Sequence, residues 1–223
     1  MVSALIEGDK DIKLNSFNMI KSELTSSSST MSSIPKPLKF LRLHYESIKK
    51  LYNSLEDFDT FKLILSDFLA ILSIVAANKP ETDTILSFVL KGTRKDLHTW
   101  GQEFMRYHNY LKRTLAGEIG TEYIKRLESD SDFSDLIDLV SQIVPYLIQI
   151  HSENEAIDLL LEVEKLDFLH QFCNKSNYNR ICQYLLASSN YAADTDEMKQ
   201  ILGIAHQIYT NFVLLNVIKG ILC

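Results

Sequence analysis

The chain has 223 residues, enough for one large domain or two small ones, and at this size it can bury about 70% of its extended surface. Hydrophobic residues make up 46% and charged residues 23%, the balance of a globular protein, and a net charge of −6 gives no global pull toward nucleic acid or anionic lipid. Seven glycines and four prolines are too few turn formers for sandwiches, barrels or glycine-looped nucleotide folds, so the expected class is all-α.

The first ten residues carry Glu7 and Asp9 and lack the basic start and apolar block of a signal peptide. A weak helical pattern (Ile12, Phe17, Ile20, Leu24) predicts a helix over Asp11 to Leu24. It gives way to the Ser/Thr-rich run Thr25 to Ser33, whose hydroxyl side chains compete for backbone hydrogen bonds and bury little. Residues 1–33 are therefore expected to be a partly disordered segment ending in a linker. Pro35 and Pro37 are expected to push Ile34 and Lys36 out of the α region and give a short extended lead-in.

From Tyr45 onward the chain reads as consecutive helices, and residues 34–212 are expected to form one helical domain. Phe58 to Ala77 is apolar nearly all round, which predicts a central buried helix. With Asp67 inside it and only fifteen residues from Leu63 to Ala77, this stretch is too short to span a bilayer. A short segment over Glu81 to Lys91 precedes a long one over Leu97 to Leu127, interrupted by Gly117 and Gly120. A stripe of Leu136, Val140, Ile143, Leu147 and Ile150 marks the next helix, with a kink expected at Pro145. Ser152 with Glu155 and Asp194 with Glu197 have capping-box spacing, and Ser176 is a further candidate cap. The last stripe is Met198, Ile201, Leu202, Ala205, Ile208, Tyr209 and Phe212. Short connections between these helices predict stacked antiparallel hairpins, an α-solenoid-like arrangement without a fixed sequence period.

Three cysteines without paired spacing do not make a disulfide framework and fit a reducing compartment. His170, Cys173 and Cys182 lack the fourth ligand and the tight cysteine pair of a structural zinc site, so packing is the expected role. Cys182 and His206 lack the surroundings of an activated nucleophile pair. Gly117-Glu-Ile-Gly120 lacks the Lys-Ser/Thr ending of a phosphate loop. Glu155, Asp158, Glu162 and Glu164 are spaced for a solvated helix face. No residue constellation for catalysis, metal or cofactor is visible. Basic residues concentrate early (Lys36, Lys39, Arg42, Lys49, Lys50, Lys91, Arg94, Lys95), whereas Asp135 to His170 is dominated by acids. That asymmetry can steer a charged protein partner or simply mark two solvated faces.

The block Ser26-Ser-Ser-Ser-Thr-Met-Ser-Ser-Ile-Pro-Lys-Pro-Leu-Lys-Phe-Leu-Arg42 resembles the N-terminal region of the 26S proteasome non-ATPase regulatory subunit 2 family, large scaffolds in the base of the regulatory particle. Matches continue in order through Leu69 to Val75, Trp100-Gly-Gln-Glu-Phe104, Leu115-Ala-Gly-Glu-Ile119, Asp135 to Glu164, Arg180 to Tyr184 and Ala205 to Tyr209. Leu43 stands where the family usually has proline, and Thr84 to Gly92 matches poorly. Between Phe104 and Leu115 there are about eight extra residues, two helical turns or about 12 Å of axis. After Phe212 the likeness fades, so residues 213–223 are expected to be a divergent, truncated end.

The resemblance implies a non-catalytic scaffold or regulatory subunit of the regulatory-particle base, supporting ubiquitin-dependent degradation in cytoplasm and nucleus. The implied partners are the ATPase-ring subunits and other regulatory-particle subunits, without cofactor, nucleic acid or membrane. In the family, a toroid of proteasome/cyclosome repeats receives ubiquitin and ubiquitin-like shuttle proteins. The chain is expected to be a truncated or mis-terminated product without that toroid, and so without ubiquitin binding of its own. Pro35, Lys36, Pro37, Lys39 and Arg42 are the candidate partner contacts, against the alternative that this segment packs on the domain's own helices. A free-standing helical adaptor, holding a basic partner through its acidic second half, stays open as the other reading.

Overall fold

The computed structural model describes residues 1–26, 36–56, 59–76, 79–92 and 109–222, with only the backbone described at 36, 109 and 214–222. Among the described residues there is no strand, and eleven α-helices follow one another. The chain is all-α and divides into two compact units, Met1–Glu118 and Ile119–Cys223. No helix of the described residues is long and apolar enough to cross a membrane.

The first unit contains α1 (Val2–Glu7), α2 (Lys10–Ser26), α3 (Lys36–Leu41), a 3-10 turn over Arg42–His44, α4 (Tyr45–Ser54), α5 (Thr60–Ser73), α6 (Ile85–Val89) and the start of α7 (Asn109–Glu128). The weak stripe near the N-terminus is a full helix, α2, and it buries Phe17, Ile20 and Leu24. Phe17 packs edge-on against Phe61 and Phe68 of α5, with ring centroids 6.0 and 5.4 Å apart. The predicted central helix is present, and every residue of α5 from Leu65 to Ser73 is buried. It begins at Thr60 because Asp59 caps it, Oδ1 accepting from Phe61 N at 2.8 Å, and it ends at Ser73, short of the end of the apolar run. Thr84 caps α6 in the same way, and Glu118 of α7 adds a carboxylate to that helix start, accepting from Leu86 N at 2.7 Å.

Lys36 and Pro37 are helical, contrary to the expected extended lead-in. The first-turn amides of a helix have no intrahelical partner, so Pro37 forfeits no hydrogen bond there. Ile34, Pro35 and the predicted linker over residues 27–33 lie outside the described residues, as does the first part of the helix predicted from Leu97.

The second unit contains the rest of α7, then α8 (Ser134–Gln149), α9 (Glu153–Glu162), a 3-10 segment over Leu166–Gln171, α10 (Tyr178–Ser188) and α11 (Thr195–Leu222). From α8 onward each helix packs on its neighbour in sequence, α8 on α9, α9 on α10 and α10 on α11, the hairpin stacking of a solenoid-like chain. Of the stripe predicted for α8, Leu136, Val140, Ile143 and Leu147 lie on its buried face, Ile150 is the half-buried residue just past its end, and the helix continues through Pro145. In α11 the buried face is narrower than predicted, with Ile201, Ile204, Ala205 and Ile208 inside and Met198, Leu202 and Tyr209 exposed.

Three consecutive helices stop by one device. Asp130, His151 and Glu164 have positive φ (51°, 58° and 55°), each two residues past the end of its helix. In each case the following amide reaches back five residues: Ser131 N to Arg126 O (2.9 Å), Ser152 N to Leu147 O (2.8 Å) and Lys165 N to Leu160 O (2.9 Å). This is the Schellman arrangement, made here without glycine.

Two predicted caps differ. Ser152 precedes α9 but its hydroxyl makes no cap bond, because its backbone (φ −105°, ψ 49°) is not in the extended region that aims such a side chain at the helix. Asn177, not Ser176, precedes α10, and its amide points back into the preceding turn, accepting from Asn174 N at 2.7 Å and donating to Phe172 O at 3.1 Å. The third is present: Asp194 Oδ1 accepts from Asp196 N and Glu197 N, while Glu197 reaches back to Ala193 N.

Candidate partner surface

The groups with chemical potential are held in structural roles. Cys182 Sγ donates to Ala205 O at 3.5 Å and Cys173 Sγ to Leu169 O at 3.2 Å. Burial pushes both thiols up, Cys173 to about 12, which keeps them protonated and opposes nucleophilic use. His206 is exposed, and no hydrogen bond joins it to Cys182 among the described residues. No group of three or more His, Cys, Asp or Glu is placed to hold a metal ion among them either. Gly117-Glu-Ile-Gly120 is a stretch of α7, not a loop. A Cβ at Gly120 would run into the Glu162 carboxylate of α9, whereas Gly117 faces open space.

The acidic face of α9 is solvated only in part. Asp158 accepts from Tyr184 OH at 2.7 Å, and burial followed by the charge of Asp158 raises the Glu162 carboxyl. At the start of α9, Glu153 is buried and paired with the Arg180 guanidinium of α10. Burial alone would raise that carboxyl. The hydrogen bond and charge of Arg180, with lesser help from its own amide and His151, hold it below the usual range instead.

Among the early basic residues, Lys49 is structural: its Nζ lies 2.5 Å from Asp83 Oδ2, which also accepts from Tyr45 OH at 2.7 Å. Arg94 and Lys95 lie outside the described residues. The predicted contact segment is the short α3 and the 3-10 turn that follows. Pro35 is outside the described residues, Lys36 begins α3, and Pro37 is half-buried. Leu38 (1% exposed) and Leu41 (6%) anchor the segment in the core.

The outward side holds Lys39 and Arg42, both exposed, and two residues outside the predicted contact set, Phe40 (72% exposed) and Leu43 (76%). A spacing of three residues in a tight helical turn stacks side chains above one another. Phe40 and Leu43 thus form an apolar row beside a basic row of Lys39 and Arg42. Neither cation forms an ion pair with a described residue.

Fold and surface together define an all-α module of stacked helix pairs that presents a compact apolar and basic strip. A family model described as the RPN1 N-terminal domain matches residues 1–217, and the chain belongs to that family. It is 36% identical over 211 residues to the 26S proteasome non-ATPase regulatory subunit 2 homolog A of Arabidopsis thaliana, covering 95% of this chain and 23% of that protein. The subunit 2 protein of Dictyostelium discoideum is 37% identical over 209 residues, covering 92% and 22%, and the Neurospora crassa regulatory subunit rpn-1 is 32% identical over 212, covering 95% and 22%. The chain therefore spans about a fifth of the length of these curated relatives.

Proposed function

We propose that this chain is a non-catalytic subunit module of the proteasome regulatory particle, contributing a rigid helical scaffold to ubiquitin-dependent protein degradation in cytoplasm and nucleus. The observation that carries this reading is the family match over residues 1–217, with relatives named as proteasome regulatory subunits along nearly the whole chain. The protonated thiols and paired carboxylates support a role in contact rather than chemistry. Stacked helices hold contact residues at fixed spacing and lower the ordering cost of assembly. The partners in this reading are the ATPase-ring subunits and other regulatory-particle subunits, met through the segment of Pro35, Lys36, Pro37, Lys39 and Arg42. Ubiquitin and shuttle proteins are assigned to other parts of the longer family chains.

Native pull-down of the tagged chain tests the reading. Co-migration with proteasome ATPases is expected, and its absence under gentle lysis would overturn it. A second reading, a free-standing adaptor for a basic partner, has support from the exposed acids of α9, Asp158 and Glu162. It predicts a chain that binds basic proteins and sediments apart from proteasomes in the same experiment.

A further inference from the structure

We infer that the strip of Lys39, Phe40, Arg42 and Leu43 docks an acidic, amphipathic segment of another protein, Phe40 and Leu43 entering its apolar side while Lys39 and Arg42 meet its carboxylates. The inference rests on the contact role proposed above, but not on which complex supplies the partner. Three features converge. Leu38 and Leu41 satisfy the fold's need for apolar anchors in this segment, so the outward Phe40 and Leu43 serve nothing inside the unit. The two cations beside them have no carboxylate among the described residues to neutralise them, although Glu46 stands exposed in the first turn of α4. The strip is pre-set, since the next residue but one, Tyr45, is buried and tied to Asp83. Little ordering is then lost on binding.

An aromatic anchor in the centre with charges at its edge is the arrangement in which the anchor supplies affinity and the charges supply steering and register. Two cations on a chain of net charge −6 do not make a phosphate-tracking surface, which disfavours nucleic acid as the occupant. A second copy of this chain fits poorly as well. Its acidic α9 face carries no large exposed hydrophobic residue to receive Phe40.

The test uses the purified full chain and a labelled amphipathic helical peptide of leucine and glutamate, with the lysine-for-glutamate peptide as its counterpart, read by fluorescence anisotropy. Saturable binding of the glutamate peptide, weakening with salt, is expected, with no comparable binding of the lysine peptide. Phe40→Ser with Leu43→Ser, and separately Lys39→Glu with Arg42→Glu, should each lower affinity about tenfold or more. The charge-reversed protein should gain the lysine peptide. All four positions are exposed, so circular dichroism and the melting temperature should stay at the parent values. Equal binding of both peptides, or affinity untouched by either double variant, would overturn the inference. So would equal competition by a single-stranded oligonucleotide, or a dimer in sedimentation that the charge reversal dissociates. Because the peptide assay needs no proteasome, its failure is separable from failure of the pull-down.

Discussion

Tyr45 donates its hydroxyl to Asp83 Oδ2 at 2.7 Å across 38 positions of sequence, and Lys49 Nζ approaches the same oxygen at 2.5 Å. Asp83 precedes α6, so one carboxylate fastens α4 to the loop ahead of that helix, and Lys79 Nζ holds the Asp83 carbonyl at 2.7 Å. Asp83→Ala strands two donors in a poorly solvated place and is expected to cost about 2–4 kcal/mol. Tyr45→Phe, which leaves the Lys49 pair intact, should cost about 1 kcal/mol. Urea midpoints of the two variants against the parent check both the order and the size.

The same contact sets an alkaline limit. Burial, then the hydrogen bond and charge of Asp83, push the Tyr45 phenol well above its ordinary value. A phenol raised in the folded state contributes stability that is whole below its unfolded pKa of about 10 and is lost as pH rises beyond it. Burial also raises Tyr123 and Tyr146, and Tyr184 lies at about 12, with the Asp158 bond adding to its burial. Each such group steepens the loss above pH 10 by up to about 1.4 kcal/mol per pH unit. Tyr45→Phe should flatten that limb by one group's worth, measured as unfolding free energy between neutral and alkaline pH.

Glu153 works in the opposite direction. Its carboxyl is held below the usual range by Arg180, against the opposing effect of burial, so its contribution is present above the unfolded carboxylate pKa and fades as pH falls through the lower folded one. Arg180→Met leaves the carboxylate buried without its partner. Because the guanidinium is half exposed, the expected loss at neutral pH is about 1–3 kcal/mol. The gap between parent and variant should also narrow as pH falls, since the unpartnered carboxyl, raised by burial, takes up its proton in the folded state and sheds its buried charge. Adding Glu153→Gln should recover part of the loss, and a gap between parent and Arg180→Met that stays constant from neutral to acid pH would contradict the pairing.

Gly117 and Gly120 are one turn apart in α7 and should respond oppositely to alanine. Nothing meets a Cβ at Gly117, so Gly117→Ala should gain about 1 kcal/mol from helix propensity and raise the melting temperature by about 2–4 °C. At Gly120 the new methyl meets both the carboxylate and the Cβ of Glu162, so the propensity gain is offset or reversed. Differential scanning calorimetry of the two single variants decides this directly.

The thiols offer a chemical check. With burial pushing Cys173 to about 12 and Cys182 upward as well, little thiolate exists at pH 8. Peptide-resolved mass spectrometry after iodoacetamide treatment should find both largely unmodified while a free-thiol peptide in the same tube is fully alkylated. Denaturant should abolish that difference.

Periodicity reveals a helix when its apolar residues saturate one side, and much less when neighbours divide the work. The α5 helix, buried throughout from Leu65 to Ser73, and the stripe of α8 are plain in the sequence for that reason. Pro-Leu-Lys-Phe-Leu-Arg-Leu over 37–43 is different. Its four large apolar residues look alike, but a six-residue helix passing into a 3-10 turn shifts the phase, so Leu38 and Leu41 go in while Phe40 and Leu43 stay out. The pairing of Glu153 with Arg180 joins residues 27 apart on different helices and has no local pattern. Cap positions were legible where the side chain itself serves, as at Asp194, and hidden where Asn177 spends its amide on the preceding turn.

The way α7, α8 and α9 end bears on how such a chain tolerates change. The stop is carried by amides reaching back five positions rather than by a residue type, at an aspartate, a histidine and a glutamate in turn. A left-handed residue with a side chain carries a penalty of about 1–2 kcal/mol that glycine would avoid. Substitutions can therefore accumulate at these three corners with the boundaries staying where they are, and comparison by spelling alone would miss a punctuation that the backbone preserves.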